Sequence, residues 1–121
     1  AYLSADFHDH ATAYLMAECF ERHDSTRFDT IAISFGPDRQ DGMRQRLHKA
    51  FGRFIDVREQ SDAEVAQLLR SLEVDIAFAD SSATRFSASA MAFSSDFSHA
   101  ISASWVGFDG RTTSLGVATP R

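Results

Sequence analysis

The chain has 121 residues, a formal net charge of −5, a pI near 5.4, 44% hydrophobic residues and eleven Phe, so it is one domain or part of a larger one, with enough apolar mass for a core. The acidic balance argues against nucleic-acid or anionic-membrane partners, which need a concentrated positive field, and no apolar run approaches the ~18 to 20 residues of a membrane span. A single cysteine, Cys19, cannot close an internal disulfide, which fits a cytoplasmic chain.

The opening AYLSADF is strand-like and lacks the basic, apolar, small-residue progression of a secretory signal; its abruptness predicts an upstream part. From about Ala11 to Arg22 the sequence is helix-compatible and apolar on most sides, which predicts a largely buried helix with Asp9 or His10 at its N-cap and Cys19 as a small buried hydrophobe. FDTIAISF (28–35), ending in the turn signal GPD, predicts the second strand. Met43, Leu47, Ala50, Phe51 and Phe54 then recur at the spacing of one helix face, with Gly52 near the stop. FIDV (54–57) predicts a short strand. Ser61 and Glu64 form an S-x-x-E capping box ahead of a helix carrying Val65, Leu68, Leu69 and Leu72, and VDIAFAD (74–80) predicts a further strand.

Strands alternating with helices of about ten residues imply βαβ units, so residues 1–80 are expected to form an α/β, Rossmann-like parallel sheet with flanking helices. Residues 81–121 differ. They hold five of the chain's 29 charged residues (12 basic, 17 acidic) but ten of its fifteen serines. This divergent Ser/Ala-rich segment is expected to be poorly ordered over 81–98, with one strand near 101–108.

DFHDH concentrates ionisable groups where the first strand turns into the first helix. As metal ligands, His8 and His10 with Asp6 and Asp9 straddle that turn awkwardly, and no second His/Cys cluster stands at ligand spacing, so no metal site is expected. As an acid–base group, His10 has two features in its favour. The positive end of the helix macrodipole disfavours the imidazolium, and the carboxyl end of a parallel strand is where open α/β sheets place their sites. The bland alternative is a histidine that only caps the helix. Neither G-x-G-x-x-G nor a P-loop is present, so no dinucleotide cofactor is expected. Asp75 and Asp80 flank the last strand of this region as turn residues or substrate-orienting carboxylates; His23, His48, Arg39, Arg44 and Arg46 read as solvated surface.

The order SADFHDHATAYLM, FDTIAISFGPD, a helix, FIDV, a capped helix and SLEVDIA resembles the catalytic region of O-linked N-acetylglucosamine transferases, particularly bacterial members of the SPINDLY type, from Tyr2 to Ala77. The resemblance implies the N-terminal half of a GT-B glycosyltransferase, in a parent protein with tetratricopeptide repeats, that moves N-acetylglucosamine from UDP-GlcNAc to Ser or Thr hydroxyls of a protein acceptor. It places the family's active-site histidine at His10, with Asp6 and Thr12 as neighbouring substrate-side positions that shape and cap the turn. After VDIA the pattern departs: FADSSATRF and SHAISASWVGFDGRT stand where D-L-K-G-F-T, R-P-A-P-I-Q and L-G-Y-P-G-T segments are expected. The second Rossmann-like half, which carries most nucleotide contacts in the family, has no counterpart in these residues, so the isolated chain is expected to be inactive. Two rivals are a non-catalytic α/β binding or remnant domain and a receiver-like module, the latter only loosely imitated by Asp6 and Asp9.

Overall fold

Each of three short runs ends in a polar residue, YLS, IAIS and RFID, and each becomes one strand of a parallel sheet. In the computed structural model, residues 1–80, 104–106 and 112–114 are described. They form β1 (Tyr2–Ser4), α1 (Ala11–Glu21), β2 (Ile31–Ser34), α2 (Gly42–Ala50), β3 (Arg53–Asp56), α3 (Asp62–Ser71), β4 (Phe78–Ala79), β5 (Ser104–Val106) and β6 (Thr112–Ser114). The chain divides into two compact units, Ala1–Arg58 and Glu59–Arg121.

In the first unit the strands lie parallel in the order β3-β2-β1. All four residues of β2 are buried, as a middle strand covered on both faces requires. Tyr2, Ala32 and Phe54 share one row of the register, and this face packs on α1 and α2. The core there is Phe7, Ala13, Ala17, Phe20, Ala32, Met43, Leu47 and Phe51. Phe20 and Phe51 rings lie 4.7 Å apart, and Phe7 meets Phe51 edge-on at 5.6 Å. Arg46 closes the outer seam between the helices with a two-pronged contact to Glu21 at 2.6 and 2.8 Å. The α/β reading therefore holds.

Several boundaries move, for local reasons. The first strand stops at Ser4 rather than running through AYLSADF, because the Asp6 N–H donates to Ser4 Oγ and the His8 N–H donates to the Asp6 carbonyl, turning the chain. Helix α1 is buried only along Ala13, Ala17 and Phe20; Tyr14, Leu15 and Cys19 are exposed, so Cys19 is not the buried hydrophobe expected. Every apolar residue of a helix cannot face one sheet, and the i, i+4, i+7 stripe that seats the helix excludes them. Phe28 also stays out of β2: the backbone N–H groups of Arg27 and Phe28 donate to the Asp24 carbonyl, in a loop whose Thr26 N–H and hydroxyl both donate to the Asp24 carboxylate.

In the second unit, α3 starts with the expected capping box: Ser61 Oγ accepts from the Glu64 N–H, and the Glu64 carboxylate accepts from the Ser61 N–H at 2.7 Å. Those bonds hold the Glu64 carboxyl below its usual range. Ser61→Ala is expected to cost about 1 kcal/mol, read as a lower urea midpoint at unchanged slope. The helix ends in a Schellman turn, with the Val74 N–H on the Leu69 carbonyl, the Glu73 N–H on the Arg70 carbonyl, and Glu73 at φ 53°. That exit consumes the start of VDIAFAD, so only Phe78–Ala79 is strand rather than 74–80. Ser104–Val106, inside the 101–108 run, pairs antiparallel with Thr112–Ser114. The 81–98 stretch expected to be poorly ordered lies outside the described residues.

Candidate functional site at the carboxyl edge of the sheet

The final register row of the three strands is Ser4, Ser34 and Asp56, a polar row on the same face as the aromatic core. Buried polar groups need partners: Ser4 Oγ takes the Asp6 N–H, and for Ser34 and Asp56 the donor is Arg44 of α2. Its Nη1 donates to Ser34 Oγ at 3.1 Å and to the Phe7 carbonyl at 3.2 Å, and its Nη2 donates to Asp56 Oδ2 at 3.2 Å. The guanidinium also lies 5.0 Å from the Phe54 ring centroid. Arg44 is thus not solvated surface: it is 3% exposed. Its position on α2 explains why, since Arg44, Leu47 and Phe51 fall at i, i+3 and i+7, the face that the core claims.

Arg44 belongs to a ring of alternating charge. Its Nε stands 3.6 Å from Asp38 Oδ1, close enough for charge pairing but too long for a hydrogen bond. Arg58 pairs with Asp38 at 3.5 Å and with Asp56 at 2.9 Å. Burial pushes the Asp56 carboxyl up, but the hydrogen bonds and charge of Arg58 and the charge of Arg44 outweigh it and hold that carboxyl below its usual range. With four charges satisfying one another, the ring ties together the loop after β2, the end of β3 and α2.

Beside this ring, the β1–α1 loop brings together the three residues singled out from sequence. His10 is the N-cap of α1, in extended backbone conformation, and its Nδ1 accepts the Thr12 N–H at 3.2 Å. The same Nδ1 lies 3.5 Å from Asp6 Oδ2, with the His10 side chain 44% exposed and that of Asp6 20%. Thr12 enters through its backbone. Asp9, the other N-cap candidate, turns elsewhere: its N–H donates to Asp41 Oδ2, and hydrogen bonding to its carboxylate raises the Tyr14 phenol. Asp41 in turn caps α2 by accepting the Arg44 N–H at 2.8 Å, and the two backbone donors hold its carboxyl below the usual range. His8 is buried, edge-on to His10 with ring centroids 5.7 Å apart, and its Nδ1 has no hydrogen-bond partner among the described residues.

The chain is similar to a solved structure of a Thermobaculum terrenum O-GlcNAc transferase mutant, at 31% identity and a TM-score of 0.60 over 64% of this chain. It spans 15% of that chain's length. No family model and no curated protein matches it. A likeness at this identity supports a glycosyltransferase-like α/β fold.

Within this O-GlcNAc-transferase-like fold, His48 and His23 make contacts of their own. His48 stacks on Phe54 with centroids 3.8 Å apart, and His23 Nε2 meets the Tyr2 hydroxyl at 2.8 Å, so both have packing or bonding roles beyond the solvated surface expected. Asp75 is exposed, and Asp80 follows β4. Among the described residues no group of three or more His, Cys, Asp or Glu side chains is arranged to hold a metal ion, and no helix is long and apolar enough to cross a membrane.

Proposed function

We propose that this chain is the His10-bearing portion of a cytoplasmic protein O-GlcNAc transferase, which passes N-acetylglucosamine from UDP-GlcNAc to Ser or Thr hydroxyls. The observation that carries this reading is the half-exposed His10 imidazole at the carboxyl end of β1, with the Asp6 carboxylate beside it, in a chain similar to an O-GlcNAc transferase. Transfer to a hydroxyl requires a group that takes the hydroxyl proton and positive charge that steadies the departing diphosphate. His10 serves the first need. Arg44 and Arg58 do not serve the second, because Asp38 and Asp56 already neutralise them. By the family resemblance, most of the diphosphate contacts come from a second Rossmann-like half, in a parent protein that also carries tetratricopeptide repeats.

His10→Asn separates chemistry from capping, since Asn caps a helix well yet accepts no proton near neutral pH. In a parent protein containing this chain, the substitution is expected to lower kcat by about 10²- to 10⁴-fold with the donor KM little changed. The check is steady-state transfer to an acceptor peptide. Undiminished kcat would remove His10 from the reaction. The 121-residue chain alone is expected to show neither transfer nor tight UDP binding by calorimetry; either would contradict the assignment of the diphosphate contacts elsewhere.

A further inference from the structure

The nitrogen of His10 that caps the helix is also the nitrogen that faces Asp6, and it cannot serve both at once. When Nδ1 accepts the Thr12 N–H it must hold a lone pair, so a neutral ring carries its proton on Nε2. In that tautomer Nε2 is a donor and takes no proton from a hydroxyl. A lone pair on Nδ1 facing a carboxylate oxygen at 3.5 Å is, in addition, an unfavourable pairing. Moving the proton to Nδ1 reverses every term: Nδ1–H donates to Asp6 Oδ2, the Thr12 N–H is released, and Nε2 presents its lone pair outward.

We propose that Asp6 is the positioning residue that selects the Nδ1–H tautomer of His10, converting the ring from helix cap to proton acceptor at the expense of the Thr12 bond. The role rests on the reading of His10 as the group that takes the hydroxyl proton. In that step the acceptor oxygen bonds to the anomeric carbon while the carbon–diphosphate bond breaks and the diphosphate leaves with the electron pair. The hydroxyl proton passes to Nε2, and the resulting imidazolium rests its Nδ1–H against the Asp6 carboxylate. The neighbours leave this exchange to Asp6. His8 approaches edge-on with its ring 5.7 Å away, while Asp9 and Asp41 are bonded to each other across the loop and to Tyr14 and Arg44 respectively. The released Thr12 N–H belongs to the first helical turn, where water readily replaces a cap.

The test is long-range proton–nitrogen NMR of the His10 ring in the 121-residue chain, at a pH where the ring is neutral, with hydrogen exchange of the Thr12 amide measured alongside. The wild type is expected to populate the Nδ1–H tautomer. Asp6→Ala, which removes the carboxylate and leaves the Nδ1 lone pair to the Thr12 N–H, is expected to push that tautomer below detection and to slow Thr12 exchange; Asp6→Asn, should the Ala variant misfold, offers Nδ1 an N–H donor and is expected to shift the tautomer the same way. A wild-type ring wholly in the Nε2–H form, or the same tautomer ratio in wild type and folded variant, overturns the proposal. Neither readout involves sugar transfer. A His10→Asn parent with full activity would instead remove the underlying reading while leaving the tautomer result standing.

Discussion

Arg44→Met is expected to destabilise the first unit by about 3 kcal/mol, seen as a large fall in the urea midpoint at unchanged slope. Methionine fills much of the volume along the Phe54 ring but donates nothing. The Ser34 hydroxyl and the Phe7 carbonyl lose the donor they share, Asp56 keeps Arg58, and Asp38 keeps Arg58 and the Gln40 amide. Loss of one partner from a buried ion pair costs about 3 to 5 kcal/mol, and the partial exposure of Asp56 and Asp38 sets the value at the low end of that range. Arg44→Lys is expected to fall between the two, since one ammonium cannot reproduce a fork that reaches Phe7, Ser34 and Asp56 at once. The pH dependence carries a sign. The Asp56 carboxyl is held below its usual range, so its contribution is present at neutral pH and is lost as pH falls through about 4 and below. Arg44→Met removes part of that contribution, and the gap between wild type and variant is expected to narrow in acid.

Arg44 also marks the limit of what the sequence discloses. Elements declared by local chemistry were legible: the Ser61/Glu64 box announces α3, the β-branched IAIS run gives β2, and the alternation with helices gives a parallel sheet. The turn at DFHDH was legible too, and the structure brings Asp6, His10 and the Thr12 amide together there. What escaped was decided by pairing across the sheet. A serine ending one strand and an aspartate ending the next are unremarkable singly; only the register sets Ser34 beside Asp56, where one donor serves both. An arginine among Met43, Leu47 and Phe51 reads as surface by composition, although its i, i+3, i+7 spacing was the available signal for burial. Cys19 failed in the opposite sense. Its apolar neighbours pointed inward, but the stripe through Ala13, Ala17 and Phe20 had already fixed which side of α1 meets the sheet.

Gly36→Ala is expected to damage the fold at least as severely, at about 3 kcal/mol or more, because it forces one backbone into another. A Cβ on Gly36 would lie 1.8 Å from the Ala5 carbonyl oxygen, 2.6 Å from its carbon and 2.9 Å from Ala5 Cα. None of these is the tip of a side chain that could swing aside. Relief requires the segment after β1 or the turn after β2 to move, and both are anchored: the Phe35 N–H donates to the Ser4 carbonyl, and the Val57 N–H donates to the Ser34 carbonyl at 2.8 Å. Ala5 sits between Ser4, in the polar row, and Asp6, beside His10, so the displacement passes into the candidate site. The expected result is a melting temperature lowered by more than ten degrees or so, together with shifted amide resonances for Asp6 and Thr12 in whatever folded population remains. Gly42→Ala provides the control. Gly42 opens α2 with nothing within 4 Å of an added Cβ, so alanine there is expected to stabilise the chain by about 0.5 to 1 kcal/mol through helix propensity and a less flexible unfolded chain. If the two substitutions instead had similar effects, steric contact with Ala5 would not be what requires glycine at position 36, and the close passage of the two loops would have no role in setting Asp6 against His10.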